Sequence, residues 1–347
     1  MMKNKFEAIK YLMKPFFFWV PSYLREKVMY PYATYFTLPL IIDKPKNLIL
    51  ELTNICNLKC KICNRPSQES PVGSMQLSLA TELIKRAYDC GIDQVAFHTV
   101  GEPLVYPYLK EVLTFAKKLG YPIMISTNAN LLTKENSDML LDVGIDRLRI
   151  SLEGTDEKYN EVREGGDFNK VIKNLEYFHK KRHGHPNIRL DLTYVITRDT
   201  VECIKSFLEK YSYLFDEIIF TPLINQGNMQ NDYVKNRSII LFKNNRYPCF
   251  NLWTTMYVTF NGDVSVCCVD YNHKLIIGNV HDSSLLDLWN SDAYKQYRRL
   301  NREGKVNKIK YCSNCTVPVL GSNFYMTKIA DKVRKDYGLS INILGRY

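Results

Sequence analysis

The chain has 347 residues, of which 46% are hydrophobic and 24% are charged, as in a globular protein with one large domain or two modest ones; it contains no run of about 20 apolar residues that could cross a membrane. The net charge of +11 comes from Lys and Arg spread over the whole length, which predicts a solvated surface and no nucleic-acid partner. The ten cysteines are clustered, which argues against a secreted disulfide framework and favours metal chemistry in a reducing, cytoplasmic compartment.

Residues 1–47 form an aromatic and basic extension before the first predicted strand. The aromatic run that begins at Phe16 and includes Trp19 lies between Lys14 and Arg25, is too short to span a bilayer and is not followed by a small-residue cleavage site. One interpretation is an N-terminal helix packed on the domain. The other is a peripheral membrane contact, because basic and aromatic residues together favour the bilayer interface.

From residue 48 to about 221, short apolar runs alternate with amphipathic helical stretches, which is the pattern of βα units. The predicted strands are Leu48–Leu52, Gln94–Thr99, Ile123–Thr127, Arg147–Ser151, Arg189–Val195 and Glu217–Phe220. The predicted helices are Leu79–Cys90, Tyr108–Leu119, Lys134–Val143, Asn169–Lys181 and Val201–Tyr211. Left-handed glycines are predicted beyond four of these helices, at Gly91, Gly120, Gly144 and Gly184. Right-handed crossovers would curl the parallel sheet into a partial (β/α)6 TIM-like barrel over residues 48–225.

After about Thr221 the pattern changes, and a domain junction is predicted near residues 225–248. A hairpin follows, with strands at Thr255–Phe260 and Val264–Val266 and a type I′ turn at Asn261-Gly262. These features predict a small second domain over residues 226–316 and a helical tail over residues 317–347.

The loop that directly follows the first predicted strand contains Cys56, Cys60 and Cys63, spaced Cys-x3-Cys-x2-Cys. Reactive groups of βα barrels lie at the carboxyl ends of strands. Disulfides are disfavoured because three is an odd number, and a zinc site completed by a distant histidine is one alternative. A 4Fe–4S cluster held by three cysteines instead leaves one iron free to bind a small molecule.

This loop resembles the signature of the radical S-adenosylmethionine (radical SAM) enzymes. The resemblance implies that Cys56, Cys60 and Cys63 bind a cluster whose open iron holds the amino and carboxylate groups of SAM, which is then cleaved to methionine and a 5′-deoxyadenosyl radical. Ile62 occupies the position usually given to a large apolar residue against the adenine.

The resemblance also implies contacts with SAM from later strand ends. Gly101-Glu102-Pro103 resembles the motif that binds the methionine amino group, with Glu102 as the acceptor. The other implied contacts, to the methionine portion, ribose, SAM carboxylate or adenine, are Ser126, Asn128, Ser151, Glu153, Arg163 and Thr193. Among these, Glu153 matches the usual ribose acceptor and Arg163 the usual partner of the SAM carboxylate.

A second group of cysteines lies in the C-terminal part of the chain. By spacing alone, the set Cys249, Cys267, Cys312 and Cys315 could hold either zinc or a fully ligated 4Fe–4S cluster. The segment from Asn261 to Trp289 resembles the SPASM-type extension of radical SAM enzymes, or its shorter "twitch" version, which carries auxiliary clusters. The resemblance therefore implies one auxiliary cluster, with Cys268 as the reserve ligand in place of Cys267.

A closed second cluster would accept an electron, which predicts a two-electron oxidation. The layout most resembles a radical SAM dehydrogenase of aminocyclitols, so the expected substrate is a small polyol or sugar-like alcohol and the expected reductant is a flavodoxin or ferredoxin. Modification of a peptide or protein is the second hypothesis. The alternative of another class is a non-catalytic iron–sulfur protein that senses redox state or carries electrons.

Overall fold

The fold is taken from a computed structural model, which describes residues 39–227, 232–238 and 248–317, together with Lys335. The aromatic run near Phe16 and the predicted helical tail after residue 317 lie outside the described residues, Lys335 apart. Among the described residues, no helix is long and apolar enough to cross a bilayer.

Nine strands form two sheets in the described parts of the chain. They are β1 (Asn47–Leu50), β2 (Gln94–Ala96), β3 (Met124–Thr127), β4 (Arg147–Ser151), β5 (Arg189–Ile196), β6 (Glu217–Pro222), β7 (Thr255–Val258), β8 (Asp263–Ser265) and β9 (Ile276–Asn279). The strand order is β2-β1-β7-β8-β9 in one sheet and β3-β4-β5-β6 in the other. Every pairing among β1–β6 is parallel, which confirms the predicted α/β class.

The helices that connect and cover these strands are α1 (Leu77–Asp89), α2 (Leu109–Lys118), α3 (Lys134–Val143), α4 (Asp156–Val162), α5 (Phe168–Arg182), α6 (Ile204–Tyr211), α7 (Asp232–Arg237), α8 (Asn251–Thr254), α9 (Leu285–Trp289) and α10 (Asp292–Arg302). The longer ones are amphipathic. In α1, for example, Leu79, Leu83 and Ala87 recur at helical spacing, and all three are buried in the core.

Three details differ from the sequence predictions. The six barrel strands do not form one continuous sheet, because β2 has only three residues and does not pair with β3. Gly184 lacks the left-handed backbone that Gly91, Gly120 and Gly144 adopt. The hairpin turn is not type I′, because Gly262 has a positive φ of 88° but Asn261 does not, and type I′ needs both.

The hairpin turn is instead a three-residue connection between Thr259 and Asp263. The amide of Thr259 donates to the carbonyl of Asp263 at 2.8 Å, and the amide of Gly262 donates back to Thr259 at 2.9 Å. A turn of this kind places a left-handed residue last, where glycine costs least.

The C-terminal hairpin extends the sheet that carries the cysteine loop. Strand β7 pairs in parallel with β1, with Leu48 opposite Met256 and Leu50 opposite Val258. All four side chains are at most 1% exposed, so the contact is part of the main core. The first cysteine loop and the C-terminal cysteines are therefore attached to adjoining strands.

The segment from Pro39 to Ile42 is tied to the C-terminal part of the chain. The indole nitrogen of Trp253 donates to the carbonyl of Pro39 at 2.8 Å, and Asn290 exchanges two hydrogen bonds with the backbone of Ile42. The chain thus packs against the second cysteine region before it enters β1.

Arg298 on α10 is a fully buried cation that supports this contact. Its guanidinium carbon lies 4.2 Å from the ring centre of Trp289 and 4.3 Å from that of Tyr294. Its Nε donates to the carbonyl of Leu252 at 2.9 Å, and its Nη1 donates to that of Leu40 at 3.0 Å. The aromatic faces and carbonyl oxygens offset the cost of burying the charge.

We therefore expect Arg298→Ala to lower the free energy of unfolding by about 3 kcal/mol, because it removes two hydrogen bonds and two cation–π contacts and leaves a cavity. Thermal denaturation followed by circular dichroism measures the change. Arg299→Ala, at the exposed next position of the same helix, is the control and should change stability by no more than about 0.5 kcal/mol. Equal losses in the two variants would contradict this account.

Candidate functional site

The first cysteine loop follows β1, as predicted, and is held in place by the backbone at the end of α4 and just after it. The amide of Lys59 donates to the carbonyl of Glu164 at 2.9 Å, and the amide of Lys61 donates to that of Val162 at 2.8 Å. Cys60 is buried, whereas Cys56 and Cys63 are partly exposed. The loop is thus fixed between the end of β1 and the segment that carries Arg163.

Backbone amides point at two of these sulfurs. The amide of Leu58 donates to Cys56 Sγ at 3.5 Å, and that of Arg65 donates to Cys63 Sγ at 3.4 Å. Burial raises the pKa of the Cys60 thiol to about 12 and also raises the pKa of Cys56. Without metal both groups therefore hold their protons, and metal binding would release them.

Gly101 is the point at which the loop after β2 meets the cysteine loop. A Cβ at this position would lie 2.2 Å from the carbonyl oxygen of Thr53 and 2.8 Å from that of Ile55. The next amide, of Glu102, donates to Ile55 at 2.9 Å. Only glycine permits this close backbone approach, which brings Glu102 beside the cysteines.

The carboxylate of Glu102 is 2% exposed and is held by three donors. Thr127 Oγ1 donates to Oε1 at 2.6 Å, the amide of Asn128 to Oε2 at 2.9 Å, and the amide of Leu104 to Oε1 at 3.2 Å. Burial raises the pKa of Glu102, and these hydrogen bonds partly oppose that rise. Oε2 still has a lone pair for a further donor, as the predicted contact with an amino group requires.

Asn128 connects the end of β3 to the cysteine loop. Its Nδ2 donates to Asn57 Oδ1 at 2.9 Å and lies 3.9 Å from Cys56 Sγ. Because its amide also binds Glu102, Asn128 joins the second and third strand ends to the first. The structure thus brings together Cys56, Glu102 and Asn128, three of the residues singled out in the sequence.

Glu153 and Arg163, predicted as separate contacts to SAM, form a buried ion pair with each other. Arg163 Nε donates to Oε1 at 2.7 Å and Nη2 donates to Oε2 at 2.8 Å, with side chains 0% and 6% exposed for Glu153 and Arg163. Burial disfavours the arginine charge, but the contacts with Glu153 and the nearby Cys60 outweigh it and raise the pKa of Arg163. This pair anchors the backbone on which the cysteine loop docks.

Three of the other predicted residues lie in the second sheet, at partly buried positions that alternate with core residues. The strand register pairs Ser151 with Thr193 and pairs Ser126 with Arg149. Ser151 and Thr193 are therefore neighbours, with Ser151 at the carboxyl end of β4 and Thr193 inside β5, while Ser126 lies at the level of Arg149, two register positions deeper. Ile62 is partly exposed on the cysteine loop, and Pro103 is buried beside Glu102.

The C-terminal cysteines converge on one cavity. Its lining includes the four predicted ligands, the reserve Cys268 and several apolar side chains: Cys249, Cys267, Cys268, Cys312, Cys315, Val266, Val269, Val306 and Val317. Burial raises the pKa of Cys249. These five cysteines come from three separate segments of the chain, whereas the three cysteines of the first group share one loop.

The adjacent thiols Cys267 and Cys268 have different hydrogen bonds. Cys267 Sγ accepts from the amide of Val269 at 3.5 Å, whereas Cys268 Sγ accepts from Asn251 Nδ2 at 3.6 Å. The hydrogen bond from Cys267, together with those from Tyr257 and Asn251, lowers the pKa of Cys268 to about 7 against the effect of burial. Both sulfurs reach the cavity, so Cys267 stays the predicted ligand and Cys268 the alternative.

The donor set of both groups fits iron–sulfur clusters: thiols only, with backbone amides directed at three of the sulfurs. Within residues 39–227, 232–238 and 248–317, no three Cys, His, Asp or Glu side chains are arranged around a single metal ion. A cubane binds each thiolate to a different iron, so its ligands need not converge on one point.

Sequence reasoning missed Thr127, Gln226 and Tyr271, which take part in the contacts around the cysteines. Thr127 stands between two predicted residues, Ser126 and Asn128, so its position at a strand end could have indicated it. Gln226 and Tyr271 lie in irregular segments far apart in the chain, where no local pattern indicates a contact.

The family profiles agree with this geometry. The profile of the radical SAM superfamily matches residues 50–211, and that of the SPASM iron–sulfur cluster-binding domain matches residues 249–316. The chain belongs to the radical SAM superfamily and carries a C-terminal SPASM domain. It is a radical SAM enzyme, and its cofactors are SAM and iron–sulfur clusters.

Two curated relatives are similar over most of the chain. The first, the tungsten-containing aldehyde ferredoxin oxidoreductase cofactor-modifying protein of Pyrococcus furiosus, is 25% identical over 303 residues, which cover 74% of this chain and 84% of the relative. The second, the S-adenosyl-L-methionine-dependent 2-deoxy-scyllo-inosamine dehydrogenase of Niallia circulans, is 24% identical over 284 residues, which cover 79% of this chain and 94% of the relative.

Solved structures share the fold. BtrN in complex with AdoMet and 2-DOIA is 19% identical, with a TM-score of 0.56 over 78% of this chain and 92% of BtrN. Streptococcus suis SuiB bound to its precursor peptide SuiA is 18% identical, with a TM-score of 0.59 over 83% of this chain and 74% of SuiB. The first of these radical SAM folds holds a small molecule and the second holds a peptide.

An ion pair near the cysteine loop joins Glu51, the residue after β1, to the SPASM domain. His273 Nε2 lies 3.8 Å from Glu51 Oε2, and both side chains are at most 10% exposed. The contact with Glu51 raises the pKa of His273 against the opposing effect of burial, and Asp270 and Asp263 raise it further. The pair therefore stabilises the folded state most when His273 is protonated.

This pairing predicts a pH-dependent stability. A raised folded-state pKa contributes stability that is fully present below the unfolded value of about 6.5 and is lost as the pH rises through the folded pKa. We expect His273→Gln to destabilise the protein by about 1 kcal/mol at about pH 6 and by clearly less at about pH 9. Thermal melts of both proteins at the two pH values measure the difference.

Glu51→Gln is the control, because it removes the carboxylate on which the shift depends. In that background the effect of His273→Gln should lose most of its pH dependence. A loss of stability that is the same at both pH values in the otherwise unchanged protein would contradict the role of the pair.

Proposed function

We propose that this enzyme oxidises an alcohol carbon of a small polyol or sugar-like substrate by two electrons. The observation that carries the proposal is the pairing of two different cysteine sites. One is a single loop of three cysteines beside Glu102 and Asn128, and the other is a cavity lined by five cysteines from three segments of the chain. The similarity to an inosamine dehydrogenase over 79% of the chain supports the substrate class.

The proposed ligand sets follow from the two sites. Cys56, Cys60 and Cys63 would hold the SAM-binding 4Fe–4S cluster, and Cys249, Cys267, Cys312 and Cys315 would hold one auxiliary 4Fe–4S cluster. When bound, SAM and its cluster supply a 5′-deoxyadenosyl radical. A flavodoxin or ferredoxin would supply the reducing electron in the cytoplasm.

The chain's own residues would bind and orient SAM. Glu102 has an acceptor position left for the amino group, and its three donors fix the carboxylate before SAM binds. Glu153 and Arg163 act as a pair: Nε and Nη2 of the arginine are committed to the carboxylate, which leaves the remaining guanidinium edge for SAM. The other proposed contacts are Ile62, Gly101, Pro103, Ser126, Asn128, Ser151 and Thr193.

Oxidation of the alcohol to a carbonyl balances if the protein supplies one acceptor for a single electron. The alcohol carbon would lose one hydrogen atom, then a proton to solvent and an electron, which would leave a carbonyl. SAM would supply the acceptor of the hydrogen atom, and a cluster held by Cys249, Cys267, Cys312 and Cys315 would supply the acceptor of the electron. A fully ligated site does not bind the substrate, so accepting this electron is its natural role.

Modification of a peptide or protein is the second candidate function. The similarity in fold to SuiB bound to its precursor peptide supports it. Product analysis with polyols and with candidate peptides distinguishes the two, because only the true substrate increases 5′-deoxyadenosine formation and is itself oxidised.

The first test is to reconstitute the clusters anaerobically, reduce the protein in the presence of SAM and assay for 5′-deoxyadenosine. An intact protein with both clusters that makes no 5′-deoxyadenosine would refute the radical SAM activity and favour the redox-sensor alternative.

Metal analysis tests the auxiliary cluster. About eight irons per chain are expected from two cubanes, and about four irons with one zinc would refute the auxiliary cluster.

Cys60→Ala should abolish SAM cleavage, because it removes one of three ligands of the open cluster, while the absorption of the auxiliary cluster remains. Liquid chromatography of 5′-deoxyadenosine measures the loss. Cys203→Ala is the control, since this cysteine lies outside both groups and the variant should retain the full rate. Activity of the Cys60 variant near that of the unaltered enzyme would refute the ligand set.

Cys312→Ala should separate the two halves of the reaction. The open site is intact, so SAM cleavage without substrate oxidation should persist, but product formation should stop because the electron acceptor is missing. The ratio of 5′-deoxyadenosine to oxidised product measures this uncoupling. A ratio equal to that of the unaltered enzyme would show that the auxiliary site takes no part in the oxidation.

A further inference from the structure

The segment that follows β6, Asn225–Gly227, lies between the two cysteine sites. On one side, Asn64, the neighbour of Cys63, donates from Nδ2 to the carbonyl of Gln226 at 3.1 Å. On the other side, the carbonyl of Asn225 accepts from the amide of Thr316, the neighbour of Cys315, at 2.8 Å. The amide of Asn225 donates to Thr316 Oγ1 at 2.9 Å. A stretch expected to be a domain junction is thus bonded to both cysteine loops.

The same segment also approaches the Cys267–Cys268 loop closely. Gly227 has a φ of 63°, and a Cβ there would lie 2.8 Å from the carbonyl oxygen of Val269. A larger residue would be strained both by the backbone conformation and by this contact. The short connection therefore fixes the spacing between the segments that carry Cys63, Cys268 and Cys315.

Tyr271 completes the connection. It is 7% exposed, its hydroxyl donates to Gln226 Oε1 at 2.7 Å, and its carbonyl accepts from Ser70 Oγ at 2.7 Å. Tyr271 stands three residues after Cys268, and through Gln226 it is joined to Asn64, the neighbour of Cys63. Burial first, and then the sulfurs of Cys63 and Cys268, raise the pKa of Tyr271. Tyr271 is therefore hydrogen-bonded to the short segment that contacts both cysteine loops, and Gln226 holds it there.

We propose that Tyr271, held by Gln226, is a positioning residue that couples the two cysteine sites. Polar contacts to cluster sulfurs tune the reduction potential, and a rigid side chain shared by two sites transmits a change at one to the other. The inference rests on the proposed function in one respect, that the first site holds a 4Fe–4S cluster. The phenol takes no part in the cleavage of SAM or in the oxidation of substrate.

A double-mutant cycle on the reconstituted enzyme tests the coupling. The readout is the midpoint potential of the SAM-binding cluster, from a redox titration followed by electron paramagnetic resonance. It is measured with and without Cys312→Ala, which disrupts the second site, in the unaltered chain and in Tyr271→Phe. Cys312→Ala should shift the potential in the unaltered chain, and Tyr271→Phe should remove most of that shift. Equal shifts in both backgrounds, or no shift in either, would overturn the proposal.

Tyr311→Phe is the matched control, because Tyr311 lines the second cavity. In that background the shift caused by Cys312→Ala should persist. Loss of the shift in both tyrosine variants would overturn the specific role of Tyr271. Iron content and thermal midpoint, measured for each variant, exclude loss of folding as the cause.

Gln226→Leu provides a second route to the same answer. It removes the acceptor that holds the phenol but keeps the backbone carbonyl that binds Asn64, so it should reduce the coupling in the same direction as Tyr271→Phe. Full retention of the shift would overturn the role of Gln226. The double-mutant cycle can fail independently of the proposed function, because it measures only the midpoint potential of the first cluster. Zinc in the second site would refute the auxiliary cluster, whereas the coupling is refuted only by the potentials themselves.

Discussion

The parallel pairing of β1 with both β2 and β7 is the constraint on which both cysteine sites depend. The ladder to β2 places the Gly101–Glu102 loop against the cysteine loop, and the ladder to β7 attaches the SPASM hairpin to the same strand. The side chains on the core face of β1, Leu48 and Leu50, are fully buried. Because a shift of one residue would turn this face outward, the pairing holds both sites in one register.

The first site is assembled from backbone contacts before any cofactor is considered. Gly101 permits the close approach to Thr53 and Ile55, and the buried carboxylate of Glu102 then ties the ends of β2 and β3 together. The Glu153–Arg163 pair supports the other side of the cysteine loop. Breaking such a buried pair would cost several kcal/mol, because one charge would remain without its partner. The polar groups expected around SAM thus also maintain the site's shape.

The two cysteine groups differ in ways that suit different roles. The first has three thiols on one partly exposed loop, with strand-end polar groups beside it. The second has five thiols around a cavity with apolar walls. Between them lies the connection of Asn225–Gly227 and Tyr271, so the barrel and the SPASM domain are joined through the segments next to the cysteines as well as through the β1–β7 ladder.

The sequence by itself determined the α/β class, most helix and strand positions, both cysteine groups and the strand ends that carry Glu102 and Asn128. These depend on local periodicity and on motif spacing, which act over a few residues. Only the tertiary structure decided that Glu153 pairs with Arg163, that β7 adjoins β1, and that Gln226 and Tyr271 meet between the cysteines. Such contacts join segments far apart in the chain, and the free energy that selects them comes from packing and hydrogen bonding in the folded state.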